Sequence, residues 1–265
     1  LIDAVETALA EEIVAALEED DVVEISESRR RPSLVTSEQT TKELARAALG
    51  VEYRVHATTG NLNNLIGAPL TVLASPRDAE VLVVEAGTNA PGEIARLGEI
   101  LEPDAVIVTS IAEEHPEGLG DLAGVLEEET SILDALPSEG VAIVADDPPE
   151  LPRRSRERAP RVRVAGLGEG ADEALRAEEV RLDDEGRPAF RWRGHEVRLN
   201  VRGRINVRNA LLALGLAEEW GVEPSAAASA LAEASAPAMR AEVHRYGELM
   251  VIADCYNANP ARVEA

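Results

Sequence analysis

Short, continuous runs of apolar and mostly β-branched residues constrain the fold of this chain most. The clearest are V-L-V-V-E-A (81–86), A-V-I-V-T-S (105–110) and G-V-A-I-V-A (140–145). Runs without polar alternation are typical of strands that are buried on both faces of a sheet. Because helical patterns lie between these runs, we predict an α/β fold with a parallel sheet and helices on both of its faces.

Polar residues stand where the predicted strands end. In open parallel sheets, ligands bind in the crevice outside the carboxyl ends of the strands. The sequence therefore predicts a functional site at one edge of the sheet, close to four polar residues that stand at or just after the ends of predicted strands, Thr36, Glu85, Ser110 and Asp146.

The remaining segments are assigned from the spacing of apolar residues and from turn residues. Apolar spacing predicts helices over 1–19, 40–50, 91–101, 122–136, 206–221 and 225–234. Arginine-rich turns and period-2 segments predict an antiparallel hairpin region over 152–201. A further strand is predicted to begin at Val251.

Composition excludes several classes of function. The net charge of −24 disfavours binding to nucleic acid, because such a surface repels phosphate. Apolar runs stay well short of the roughly 20 residues of a membrane-spanning helix, so no membrane span is expected. The single cysteine, Cys255, is in keeping with a cytoplasmic protein. Lys42 is the one lysine among 26 basic residues, and we expect it to be a solvated residue of its helix.

Four stretches of sequence carry a resemblance to a known family. They are T-T-K-E-L (40–44), T-T-G-N-L-N-N-L-I-G-A-P-L (58–70), V-V-E-A-G-T-N-A-P-G-E-I (83–94) and D-C-Y-N-A-N-P (254–260). In order and spacing the chain resembles the Mur ligases, specifically the branch that adds D-alanyl-D-alanine to a UDP-muramoyl tripeptide in peptidoglycan synthesis.

The resemblance implies a domain organisation and a reaction. Residues 1–33 would be an N-terminal helix and connector, and 34–245 the P-loop-type central domain, including the hairpin region. Residues 246–265 would begin a Rossmann-like C-terminal domain. Members of the family are ATP-dependent, amide-forming ligases that use Mg²⁺, so ATP and Mg²⁺ are the implied cofactors.

The implied nucleotide site is altered. Where the family has T-G-x-x-G-K-T-T-T-K-E-L, this chain reads T-S-E-Q-T-T-K-E-L, three residues shorter and without both glycines and the phosphate-binding lysine. Glu38 should lie at the N-terminus of the following helix, where a carboxylate fills the anion site and repels a triphosphate. In the family's asparagine-rich adenine motif, isoleucine replaces the histidine. The matching nucleotide-site residues are Thr36, Thr40, Thr41, Asn206, Arg240 and Asp254.

The implied metal and acceptor sites are better preserved. Glu85 and His115 match the family's Mg²⁺ ligands, whereas Glu129 replaces a lysine that the family modifies to a carbamate. That glutamate either mimics the carbamate or marks its loss. The acceptor-loop pattern is kept by Thr58, Asn61, Asn63 and Asn64, which either bind the substrate or only cap the loop.

Three functions follow. The first is a catalytically degenerate Mur ligase that binds a cell-wall precursor, a UDP-muramoyl peptide, or pairs with a true ligase subunit. The second is an active ATP-dependent ligase with a modified phosphate site. The third is a structural or interaction module without a ligand. Whether the chain is an enzyme stays open at this point.

Overall fold

The computed structural model of the chain describes residues 31–88, 90–111, 119–234, 242–247 and 249–253. The helix predicted over 1–19 therefore lies outside the described residues, as do the candidate residues His115, Arg240 and Asp254. Within the part that the structure describes, no helix is long and apolar enough to cross a membrane.

A six-stranded sheet forms the centre of the described fold. Its strands, in chain order, are β1 (Ser33–Thr36), β2 (Val55–Ala57), β3 (Val81–Glu85), β4 (Ala105–Val108), β5 (Val141–Ala145) and β6 (Val162–Ala165). They are arranged β2-β3-β1-β4-β5-β6, and every pairing is parallel. Every residue of β1, β3, β4 and β5 is buried. Because successive side chains point to opposite faces, both faces of these strands are covered, and the predicted α/β class is confirmed.

Seven α-helices of the described residues connect or cover the strands: α1 (Gln39–Leu49), α2 (Gly67–Leu73), α3 (Glu93–Leu101), α4 (Leu122–Ser131), α5 (Glu150–Arg156), α6 (Ile205–Glu219) and α7 (Pro224–Ala230). Short 3₁₀ turns follow at Ile132–Ala135 and Leu231–Glu233, and another lies at Glu173–Leu175. The helix predicted over 122–136 is thus an α-helix that ends at Ser131 and continues as a 3₁₀ turn. Helix α1 packs against α6 and α7.

The antiparallel region is smaller than predicted. A three-stranded antiparallel sheet is formed by β7 (Glu178–Leu182), β8 (Pro188–Trp192) and β9 (His195–Arg198). The predicted range of 152–201 was too wide, because most of α5 and all of β6 precede this sheet and β6 joins the parallel one. Arg163 of β6 is half-buried and pairs with Glu218 and Glu219 on α6. An edge strand tolerates such a residue, and the arginine-rich sequence led to the inclusion of this strand in the predicted hairpin region.

A two-stranded antiparallel sheet ends the described chain. Strand β10 (Glu242–Tyr246) pairs with β11 (Leu249–Ala253), so the strand predicted from Val251 begins two residues earlier. The predicted boundary between 245 and 246 falls within β10.

Candidate functional site

The turn between β1 and α1 holds a carboxylate at a helix N-terminus. Glu38 is the N-cap residue of α1, and its Oε2 accepts a hydrogen bond from the Thr41 N–H at 2.7 Å and from the Thr41 hydroxyl at 3.1 Å. A helix N-terminus exposes unpaired N–H groups that attract anions. The position predicted for Glu38 is therefore confirmed, and one of these donors is already occupied from within the chain.

The threonines at the end of β1 and at the start of α1 are buried. Thr40 is 6% exposed and Thr41 is fully buried. Thr36, at the end of β1, is 1% exposed and its hydroxyl accepts the Glu38 N–H at 3.4 Å. Ser37 shares a hydrogen bond with the Thr109 hydroxyl at 3.2 Å, which joins the turn to the end of β4.

Lys42 is buried, so the prediction of a solvated lysine is wrong. Its side chain is 1% exposed and its Nζ donates to the carbonyl oxygens of Thr58, at 2.8 Å, and Gly60, at 3.4 Å. The same Nζ lies 3.3 Å from Glu85 Oε2 and 3.6 Å from Glu43 Oε1. The physical reason is the packing of α1, which turns this position toward the acceptor loop and the end of β3, where carbonyls and a carboxylate balance the charge of the ammonium.

Glu85 is the centre of this cluster. Its Oε1 accepts a hydrogen bond from Asn63 Nδ2 at 3.0 Å, and its backbone N–H donates to the Thr58 hydroxyl at 2.9 Å. Burial raises the pKa of the Glu85 carboxyl, while the Lys42 ammonium and the Asn63 amide act in the opposite direction. Among the described residues, Oε2 has the Lys42 ammonium at 3.3 Å as its ion-pair partner and accepts no further hydrogen bond.

That oxygen decides whether Glu85 suits a metal. A buried carboxylate fits Mg²⁺, which takes one or two carboxylates together with water and phosphate oxygens, but a cation at Oε2 would lie beside the Lys42 ammonium, 3.3 Å from that oxygen. No cluster of three or more potential His, Cys, Asp or Glu ligands occurs within the described ranges. Glu85 therefore fits Mg²⁺ as a single protein ligand, and its predicted companion, His115, lies outside those ranges.

The residue predicted to replace the carbamate lysine, Glu129, belongs to the second half of α4. Glu129 lines a small cavity together with Ser37, from the β1–α1 turn, and Ala86, directly after β3. The placement is compatible with carbamate mimicry, which stays a prediction.

The predicted acceptor residues differ in their exposure and in their contacts. Thr58 is 2% exposed, and its hydroxyl accepts the N–H of Glu85 on β3. Asn63 is half-buried against Glu85. Asn64 Oδ1 accepts the N–H groups of Ile66 and Gly67, so it caps the start of α2. Asn61 is exposed. Capping thus accounts for Asn64, and Asn61 is the amide that a ligand can reach most directly.

Asn206, predicted for the adenine side, is buried at the start of α6. It donates to the Arg202 carbonyl at 2.6 Å and accepts from Asn209 at 3.0 Å. Ile205, at the family's histidine position, is 50% exposed. The loop that precedes this helix is thus stabilised by Asn206 itself.

Two further polar clusters were missed by sequence reasoning. Glu128 accepts N–H groups of Gly92 and Ile94 at 2.7 and 2.9 Å, and so caps α3. Arg208 donates to Asp146 at 2.7 Å and to Ser110 at 3.2 Å, at the ends of β5 and β4. Ser110 and Asp146 were predicted as site residues because they are polar and stand at the ends of strands. Their partner Arg208 is more than 60 residues away in sequence, so no local pattern linked it to them.

Comparison with known proteins places this geometry in a family. The Mur ligase middle domain matches residues 39–217. UDP-N-acetylmuramoyl-tripeptide–D-alanyl-D-alanine ligase of Bacillus subtilis is 36% identical over 229 residues, covering 85% of this chain and 49% of that protein. The chain thus spans about half the length of the curated relatives it matches.

Solved structures agree with the sequence relatives. MurF from Acinetobacter baumannii superposes with a TM-score of 0.79 at 27% identity, covering 89% of this chain and 52% of that one. MurF ligase from Thermotoga maritima, in complex with ADP, has a TM-score of 0.77, covering 88% of this chain and 55% of that one. At 23% identity the second likeness concerns the fold alone.

Proposed function

This chain belongs to the Mur ligase family, and from that premise we propose that it binds a UDP-muramoyl peptide without ATP-driven ligation. One observation carries the proposal: the carboxylate of Glu38 occupies the N-terminus of α1, where the family's phosphate loop would bind ATP. The relatives are named for joining D-alanyl-D-alanine to a UDP-N-acetylmuramoyl tripeptide. The proposed ligand of this chain is of that class.

Electrostatics supports the loss of ATP binding. A triphosphate at α1 would have to displace the Glu38 carboxylate from Thr41, or lie beside it as a second anion. Family members rely on a lysine of the loop to bridge phosphates. The one lysine of this chain, Lys42, is buried in bonds to Thr58, Gly60 and Glu85 and cannot reach a phosphate without leaving them.

The acceptor loop supports the proposed binding of a UDP-muramoyl peptide. Its amide side chains are neutral, so they can hydrogen-bond a sugar nucleotide or peptide without a counter-ion. Asn61 is exposed, and the loop backbone is fixed to β3 through the hydrogen bond from the Gly87 N–H to the Asn63 carbonyl at 2.9 Å. An active ligase, in contrast, would need a partner chain or another loop to supply the missing phosphate-binding cation.

A second candidate, an active ATP-dependent ligase with a modified site, is favoured by Glu85 and Glu129. The first could offer Mg²⁺ a carboxylate that it shares with the Lys42 ammonium, and the second lines a small cavity together with Ser37 and Ala86. In that case Mg²⁺ would neutralise phosphate charge as a Lewis acid. The proposal of ligand binding without ligation is preferred because neither glutamate removes the negative charge that Glu38 places at the N-terminus of α1.

Calorimetric titration separates the candidates. The chain is titrated with Mg²⁺-ATP and, separately, with UDP-muramoyl tripeptide, at low and moderate salt. We expect saturable heat with the muramoyl peptide and none with Mg²⁺-ATP. Millimolar or tighter binding of Mg²⁺-ATP would overturn the proposal in favour of the active ligase, and absence of both heats would favour an interaction module.

A matched pair of variants locates the muramoyl-peptide site. Asn61→Ala should weaken binding about 3- to 10-fold, the equivalent of one lost neutral hydrogen bond. Asn200→Ala removes another exposed asparagine, after β9, and should leave the affinity unchanged. Equal effects of the two substitutions would place the ligand elsewhere.

A further inference from the structure

Lys42 joins three separate segments of the site. It belongs to α1, it donates hydrogen bonds to two carbonyl oxygens of the acceptor loop, and it lies 3.3 Å from a carboxylate oxygen at the end of β3. A buried ammonium has three donors and no freedom to seek water. Its position therefore fixes the distance between the loop and the carboxylate.

We propose that Lys42 is a positioning residue that holds the acceptor loop (residues 58–64) against Glu85, so that the peptide-binding amides and the metal-binding carboxylate move as one unit. The inference rests on the proposed function for its ligand, while the geometry that carries it lies within the chain.

The contacts of the loop show why one side chain can do this. Gly60 adopts a left-handed conformation with φ of 59°, and its carbonyl oxygen is within 3.4 Å of the Lys42 Nζ. At the other oxygen of the carboxylate, Asn63 Nδ2 donates a hydrogen bond to Glu85 Oε1 at 3.0 Å. Lys42 and Asn63 thus contact different oxygens of one carboxylate, and the loop is closed around it from both ends.

A purely charge-balancing lysine would behave differently. If Lys42 only neutralised Glu85, then making both residues neutral would restore every property of the site. If Lys42 positions the loop, the carbonyl oxygens of Thr58 and Gly60 stay without their donor even when no charge is left buried. The two roles are therefore separated by a double substitution.

The experiment uses Lys42→Met, Glu85→Gln and the double variant, with Arg46→Met as the control. Arg46 lies on the same helix, is exposed and pairs with Glu43, which also lies 3.6 Å from the Lys42 Nζ, so this control reports any effect that passes through Glu43. Hydrogen–deuterium exchange of residues 58–64 and the urea midpoint are measured in each protein. Titration with UDP-muramoyl tripeptide follows.

We expect Lys42→Met to lower the midpoint and to speed exchange of the loop amides, such as those of Leu62 and Asn63, at least 10-fold. The double variant should regain most of the midpoint but keep the fast exchange and a weakened affinity for the muramoyl peptide. Arg46→Met should change neither.

Slow exchange in the double variant would overturn the inference, because charge balance alone would then explain the loop. Unchanged exchange in Lys42→Met would overturn it as well. Failure of the wild-type chain to bind the muramoyl peptide would refute the proposed function, whereas the exchange measurement, which needs no ligand, would still decide the role of Lys42.

Discussion

Removal of the carboxylate that caps α1 is the perturbation whose size follows most directly from the structure. In Glu38→Ala, the Thr41 N–H and hydroxyl lose an acceptor at 2.7 and 3.1 Å. Loss of an N-cap costs about 1 kcal/mol, and loss of an anion near the helix dipole about 0.3–1 kcal/mol more. Because Thr41 is fully buried and water cannot replace the acceptor easily, the free energy of unfolding should fall by about 2 kcal/mol.

Urea denaturation followed by circular dichroism measures this loss. With an m value of about 3 kcal/mol/M, a decrease of about 2 kcal/mol moves the midpoint down by roughly 0.7 M. Glu52→Ala, an exposed glutamate shortly after α1, is the matched control and should stay within about 0.5 kcal/mol of the wild type.

The same variant tests the electrostatic part of the reasoning. Without the carboxylate, the N–H groups of α1 are open to an external anion. Inorganic phosphate at moderate concentration should therefore raise the midpoint of Glu38→Ala more than that of the wild type or of Glu52→Ala. If Glu38→Ala is as stable as Glu52→Ala and phosphate affects all three proteins equally, the carboxylate does not fill an anion site.

Three further predictions concern parts of the chain outside this turn. Glu128→Ala should lower the unfolding free energy by about 1–3 kcal/mol, because two N–H groups at the start of α3 lose their acceptor; a urea midpoint equal to that of the wild type would contradict this. Trp192→Leu should lower the free energy of unfolding by about 3 kcal/mol in the same assay, since the ring is 1% exposed and its Nε1 donates to the Ala174 carbonyl. A loss no larger than that of the exposed variant Glu52→Ala would contradict this and show that the surrounding side chains repack. Hydrogen bonds from the Arg187 backbone and side chain hold the pKa of Asp183 below its usual range, so this contribution to stability is present above the unfolded-state pKa and is lost as pH falls through the native one. An NMR titration of Asp183 should show a higher pKa in Arg187→Gln than in the wild type, and an unchanged pKa would refute the assignment.

The fully buried strands were predicted correctly, because their patterns depend on local sequence and burial alone. The run V-L-V-V-E is a fully buried strand, as its lack of alternation predicted. The strand that contains Arg163 was wrongly included in the predicted hairpin region, because the partners of Arg163 lie on α6, more than 50 residues later in the chain. No local pattern reports such a partner.

Lys42 marks the same limit at the site. The sequence by itself determined the α/β class, the edge of the sheet where polar residues gather, and the carboxylate at the start of α1, since each depends on neighbours within a few residues. Only the tertiary structure decided that this lysine is buried, because, apart from the adjacent Glu43, the oxygens that stabilise its ammonium come from Thr58, Gly60 and Glu85, which are 16 residues or more away in sequence. Burial of a charge depends on where its partners are brought by the fold, and that information is spread over the whole chain.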